Sequence, residues 1–322
     1  MLAAFASLAL LFAPSGASQA SNFHDVSSVI GPPLKYNFTF ETVTGYFLQD
    51  LNSTNASTFD VISQNFGLID TSKKNHWEVF RQNITRLNKK APRDVSYHVL
   101  YLARHGEGFH NTAEAFYGTP AWDDYYSKID GNGTVSWGPD ALLTDKGKAQ
   151  AANVSVAWKA QAKLGVPLPQ SFYSSPLSRS MDTLNITWAD WRLRERGIPQ
   201  PVVLEGLRET IGVHTCDMRR TSDYIHGRYP KWLLEKGFSK EDKLWLPDVR
   251  ETSDQQQARA REALVEILNG DDSTYISITS HSGETSAMLR AIGHRAFSLQ
   301  TGGFLPVVLK ATRVPSKTHS HW

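Results

Sequence analysis

The stretch Tyr101-Leu-Ala-Arg104-His105-Gly106-Glu107-Gly-Phe-His110-Asn111 carries two side chains that could act on a phosphoryl group. An arginine offers a planar fork of N–H donors that matches two phosphate oxygens. A neutral imidazole beside it can attack phosphorus, and Gly106 lets the backbone approach a ligand closely. The same tripeptide also occurs as a strand-end histidine, bonded to a nearby carbonyl, next to an unrelated surface arginine. Arg-His-Gly alone therefore decides nothing, and the reading turns on whether matching pieces recur.

Three more pieces follow. Ser175-Pro176-Leu177-Ser178-Arg179 comes after a short strand, and Pro176 marks a helix start. Arg179 then lies in the first turn, beside backbone N–H groups with no intrahelical partner, a natural anion site. Glu209 follows a strand over 201–204, and His281, in Ser280-His281-Ser282-Gly283, follows a strand over 274–279. Each has an ordinary reading when taken singly: Arg179 a helix-surface cation, Glu209 an ion-pair partner of Arg208, His281 a core histidine. Glu107 is a rival acid, better placed for packing or substrate contact. His110 and Asp217 read as supporting residues behind the site, and Arg219-Arg220 as a solvated turn.

The elements that must position these residues alternate between strand and helix. A buried strand covers Val95 to Ala103. Thr144 caps a helix to about Lys163, and further helices cover Asp254 to Leu268 and Thr285 to Ile292, before a last strand from Phe304 to Leu309. Upstream, Phe80 to Leu87 reads as a short helix, and Thr42 to Leu51 as a strand or a lid across the site. Ala115 to Asp140 is an aromatic insertion that walls the pocket or packs as a surface loop. The alternation predicts an α/β three-layer sandwich, with a mostly parallel central sheet and helices on both faces. Strand ends of such a sheet converge over one crevice. Two arginines and two histidines there suit a dianionic phosphate and disfavour a metal cation. His-Glu-x-x-His and paired Cys-x-x-Cys spacings are absent, so neither metal nor cofactor is expected.

At this point the chain resembles the histidine phosphatase superfamily in its phosphoglycerate mutase-like branch. The resemblance rests on Arg104-His105-Gly106-Glu107 with Asn111, Leu143-Thr144-x-x-Gly147-x-x-Gln150, Ser175-Pro176-Leu177-x-Arg179-x-x-x-Thr183, Leu207-x-Glu209 and Ser280-His281-Ser282-Gly283. These stand in the family's order between residues 95 and about 312. It is closer still to fungal phosphomutase-like proteins, through Arg104 to Asn111, the Trp122 to Trp137 insertion and Gly212-Val-x-x-Cys216-Asp-x-Arg-Arg220. The resemblance implies that His105 accepts the phosphoryl group, that Arg104, Arg179 and His281 bind its oxygens, and that Glu209 is the proton donor. It also puts Asn111 on the phosphate, with Gly106, Glu107, Ser282 and Gly283 counted among the substrate-binding positions. For the attack, the second ring nitrogen of His105 must donate to a backbone carbonyl. Ser282 after His281, in place of Asp, and the lack of paired cysteines argue against the acid-phosphatase and phytase branch. With no evident holder for a second phosphate, the expected activity is hydrolysis of a phosphomonoester. The alternatives are a phosphomutase or a non-catalytic phospholigand-binding module.

A net charge of +2 over 322 residues, with no basic stripe, argues against a nucleic-acid partner and leaves a small phosphorylated substrate. Residues 1–20 read as a signal peptide, residues 21–94 as an N-terminal extension and 95–322 as the catalytic domain. Sequons at Asn37, Asn52, Asn55, Asn83, Asn132, Asn153 and Asn185 fit a glycoprotein that is secreted or held in the secretory-pathway lumen. No stable membrane association is expected once the signal is removed. Cys216 is the only cysteine, so no internal disulfide can form.

Overall fold

The computed structural model describes residues 35–191, 195 and 197–315. The leader, the first part of the extension and the tail from His319 to His321 lie outside the described residues. Strand β2 (Val95–Arg104) is apolar without alternation from Val99 to Ala103 because both of its faces are covered there. Leu100 and Leu102 join a cluster with Leu264, Ile278 and Leu309. Val99 and Tyr101 point the other way, to Phe172, Trp158 and Leu184. Successive strand residues face opposite sides, so one unbroken run serves two cores.

The sheet has seven strands in the order β1 (Tyr36–Thr42), β7 (Phe304–Pro315), β2, β6 (Tyr275–Ser280), β3 (Ser171–Ser174), β4 (Val202–Val203) and β5 (Leu233–Leu234). From β2 to β5 every pairing is parallel, whereas β7 runs antiparallel to both of its neighbours. One face carries α7 (Ser253–Gly270) and α8 (Ser282–Ala291). The other carries α1 (His76–Lys90), α4 (Asp145–Lys163) and α5 (Ser178–Trp188). This is the expected α/β sandwich. Thr144 caps α4 by accepting from Gly147 N at 3.0 Å, and α7 opens on a capping box between Thr252 and Gln255.

Several boundaries differ from the sequence reading. Thr42 to Leu51 is neither strand nor lid, because β1 ends at Thr42 and the segment then packs inward. Phe47 is fully buried there, and Gln49 donates to Pro306 O at 2.9 Å. The short helix expected at 80–87 is a turn longer at its start and nearly a turn longer at its end, since Trp77, Phe80 and Ile84 form one buried face of α1. The last strand runs on to Pro315 because β1 pairs with its second half. The 21–94 segment thus gives an edge strand and a helix to the same sheet. The insertion after α2 (Phe109–Tyr117) holds the short α3 (Thr119–Asp124) and has a small core of its own, in which Trp122 and Trp137 pack with Ala113, Ala141 and Cys216. The short α6 (Ser222–Arg228) packs Ile225 against Met181 and Val203. Among the described residues, no helix is long and apolar enough to cross a membrane.

Candidate active site

Parallel register brings the predicted residues together. Arg104 on β2 pairs with Ser280 on β6, and Ser174 on β3 pairs with Thr279 on β6 and Val203 on β4. The next residues along each strand therefore leave the sheet over a common edge. His105 N bonds Ser280 O at 3.0 Å, and Ser175 N bonds Thr279 O at 3.1 Å.

His105 is 2% exposed, and its ring centroid lies 5.0 Å from that of His281 and 5.3 Å from that of His110. Nδ1 meets Gly106 O at 2.6 Å, which fixes the proton on that nitrogen. Nε2 accepts from Arg179 Nε at 3.3 Å, so it is the unprotonated nitrogen. Burial, then the charges of Arg179 and Arg104, hold the imidazole well below its ordinary pKa, so it is neutral and nucleophilic at physiological pH.

Arg179 is fully buried in the first turn of α5. Nη1 donates to Cys216 O and Nη2 to Asp217 Oδ1, both at 2.7 Å. Each kind of guanidinium nitrogen is engaged, so the group is held rigidly against His105. Asp217 is the supporting residue the sequence suggested. Beneath it, Asp140 accepts from Ser178 N and Ser178 Oγ at 2.8 and 2.6 Å, and burial pushes its carboxyl up to about 6. Arg104 donates to Leu299 O at 2.7 Å, while its Nε is sealed without a partner. Burial lowers the Arg104 pKa, Glu209 raises it and Arg179 lowers it, so both charges are felt at Arg104. His281 stands at the N-cap position of α8 without a side-chain capping bond, with Nε2 at 2.8 Å from Ser175 Oγ and 3.2 Å from Ser180 Oγ, and its Nδ1 is sealed without a partner. Burial, then Arg179, holds its ring neutral as well. Desolvated donors crowding one nucleophile fit an anionic oxygen ligand.

Glu209 reaches the site from the loop after β4. Its Oε1 accepts from Thr210 N at 3.0 Å and Gln256 Nε2 at 3.3 Å, and Oε2 accepts from Gly283 N at 3.1 Å. A Cβ at Gly283 would stand 2.1 Å from Glu209 Oε1, so Gly283 admits the acid to the start of α8. Ser282, the first residue of α8, is half-buried beside it. Arg208 is not its ion-pair partner. That guanidinium is fully buried between Asp242 and Glu205, at 2.6 and 3.2 Å. Nor is Arg219 part of a solvated turn, since it is 2% exposed and pairs with Glu205.

Three positions that the resemblance put on the ligand bond to the protein itself. Gly106 faces Gly147, where a Cβ would stand 2.2 Å from the Gly147 carbonyl oxygen, so the close approach it permits is that of α4. Glu107 is clamped by Thr144 Oγ1 at 3.0 Å and Lys146 Nζ at 2.7 Å. Asn111 accepts from Gly108 N at 3.0 Å through Oδ1 and so caps α2.

Behind Glu209 lies a buried network that no local pattern in the sequence marks. Gln256 Nε2 also donates to Glu284 Oε2 at 3.3 Å, and Arg259 Nη1 lies 3.1 Å from that oxygen while binding Glu251 at 2.7 Å. Burial pushes Glu284 up to about 8, against the pull of Arg259. A carboxyl whose folded pKa is raised contributes stability that is complete below the unfolded value. That stability is lost as pH climbs toward about 8. Glu284→Gln, neutral throughout, should therefore match the wild-type Tm near the ordinary carboxyl pKa of about 4.3. It should exceed it increasingly toward about pH 8. A thermal-melt series over that range checks the sign; an E284Q variant that gains nothing at the alkaline end refutes the assignment.

Among the described residues, His214, Cys216 and Asp217 bring potential metal-ligand atoms within 4.8 Å of one another. They fit a cation poorly. Asp217 already binds Arg179, Arg250 lies 3.7 Å from its other oxygen, and burial pushes the Cys216 thiol up and away from thiolate.

Comparison with known proteins agrees with this geometry. A family model, that of the histidine phosphatase superfamily (branch 1), matches residues 100–301. The chain is 44% identical over 283 residues to a probable phosphoglycerate mutase of Arthroderma benhamiae, covering 84% of each chain. It is 33% identical over 272 residues to a probable phosphoglycerate mutase of Saccharomyces cerevisiae, covering 77% of this chain and 92% of that one. It is also 33% identical over 267 residues to phosphomutase-like protein 3 of Candida albicans, covering 82% and 78%.

Proposed function

The chain belongs to the histidine phosphatase superfamily, and from that premise we propose that it is a phosphomutase that moves a phosphoryl group on a small phosphorylated acid through phosphohistidine at His105. Phosphomonoester chemistry follows from the family. The choice of transfer over the hydrolysis expected from sequence is supported by the relatives, two named as probable phosphoglycerate mutases and one as a phosphomutase-like protein. The observation that carries the mechanism is the fixed tautomer of His105, whose Nδ1 keeps the proton and donates it to Gly106 O while Nε2, the unprotonated nitrogen, accepts from Arg179 Nε.

His105 Nε2 attacks phosphorus, and the P–O bond to the leaving oxygen breaks as the N–P bond forms. Arg179, Arg104 and His281 take up the charge on the equatorial oxygens. Glu209 gives its proton to the leaving oxygen, then removes one from the acceptor hydroxyl as that oxygen attacks and the N–P bond breaks. Water in the acceptor's place gives hydrolysis from the same intermediate. The experiment is 31P NMR of purified protein with 2- or 3-phosphoglycerate, with and without a bisphosphorylated glycerate primer. Primer-dependent interconversion faster than release of inorganic phosphate supports the mutase. Phosphate release alone overturns it in favour of a phosphatase.

We also propose that this activity is exported, on the strength of the apolar leader and the sequons. Asn52, Asn55, Asn132, Asn153 and Asn185 are exposed, whereas Asn37 is half-buried and its oxygen accepts from Arg261. Protein made in a eukaryotic host should shrink on endoglycosidase treatment, with glycan at exposed sequons. An unmodified intracellular product refutes export.

A further inference from the structure

We propose that His110 is a third imidazole of the phosphoryl pocket, which donates a hydrogen bond from Nε2 to an oxygen of the bound phosphoryl group. The inference rests on the phosphoryl-transfer reading above, and it assigns a contact to a residue that reads from sequence as mere support. His110 lies in the first turn of α2, 9% exposed, with its ring centroid 5.3 Å from that of His105. It sits in the same electrostatic field as the nucleophile, since Arg179, His105 and Arg104 all act on it.

The hydrogen bonding of the ring tells which edge faces the ligand. Nδ1 is sealed from solvent with no partner. It abuts Gly108, where a Cβ would stand 2.6 Å from it. An N–H pressed against a C–H surface wastes a donor, whereas a lone pair there loses less. The proton therefore belongs on Nε2. That nitrogen has no partner among the described residues, yet it is not sealed as Nδ1 is. A neutral N–H donor opening beside His105, in a pocket of fixed positive charge, is matched by an anionic oxygen. The turn that carries the ring is also well anchored: Asn111 caps it and Phe109 N bonds Leu142 O at 3.0 Å.

The test compares wild type with His110→Phe, which keeps the ring's bulk without its nitrogens, and His110→Gln, which restores a donor. A charge-assisted hydrogen bond lost from a desolvated site corresponds to about 10- to 100-fold. His110→Phe should lose about that factor in kcat/KM for p-nitrophenyl phosphate and bind orthovanadate weaker by a similar factor, with Gln recovering part of both. Unchanged vanadate inhibition and kcat/KM in a folded Phe variant overturn the proposal. If Phe disrupts folding, a Gln variant with wild-type vanadate affinity supports it, and a Gln variant as weak as an Ala variant overturns it. His105→Ala serves as the separate control: its inactivity alongside a wild-type-like His110→Phe rejects only the role of His110.

Discussion

His105→Ala is expected to lower turnover of any phosphomonoester by about 10⁴-fold or more, in line with removal of a covalent nucleophile elsewhere. No neighbour can take its place. Arg179 and Arg104 are cations, His281 is tied through Nε2 to Ser175 and Ser180, and His110 has its sealed nitrogen turned to Gly108. Water could still attack a phosphate held by the remaining donors, so the residual rate reports their electrostatic contribution alone. The fold should survive, because among the described residues the imidazole bonds only Gly106 O and Arg179 Nε, and Arg179 keeps Cys216 O and Asp217. Brief incubation of the wild type with a 32P-labelled phosphomonoester should leave a label on the protein that is lost in acid and kept in alkali. The variant should leave none. Full turnover, or full labelling, by His105→Ala would dispose of the phosphohistidine mechanism.

The same residues show why this site was legible in sequence and its support was not. β2 is read easily because a strand buried on both faces must be apolar at every position, as Val99 to Leu102 are. Arg104-His105, Arg179, Glu209 and His281 follow strand ends, and in a parallel sheet that alone brings them to one edge. The supporting network obeys no such rule. Gln256 and Arg259 stand on α7 among exposed polar residues, and the pattern of that helix cannot say that they turn inward to Glu284 and Glu251. Arg208 and Arg219 look like surface cations until the chain folds Asp242 and Glu205 around them. Gly106 reads from sequence as backbone opened to a ligand, and Gly283 as a substrate-binding position that the resemblance implies. What they make room for is Gly147 and the Glu209 carboxylate, contacts between segments far apart in the chain. Local pattern predicts burial and strand ends; long-range polar pairing waits on the fold.

Glu209→Gln separates the two proton transfers. The substitution is nearly isosteric, and one amide oxygen can still accept from Thr210 N and Gln256 Nε2. The amide nitrogen then faces Gly283 N–H, so one hydrogen bond is lost and a small fall in Tm is expected. With a phosphoglycerate the leaving alkoxide needs its proton, and turnover should fall by about 10²- to 10⁴-fold. With p-nitrophenyl phosphate the leaving group departs without one, so formation of phosphohistidine should proceed at close to the wild-type rate. The acceptor still has to be deprotonated, and that second step should now be slow. Stopped-flow measurement should therefore show a burst of nitrophenol, up to one per active site, followed by a depressed steady rate while labelled His105 accumulates. If the burst slows as much as the phosphoglycerate reaction, Glu209 is needed to organise the site rather than to carry protons. If neither reaction slows, another group is the acid, and the hydrogen bonds that bring Glu209 to the start of α8 have some other purpose.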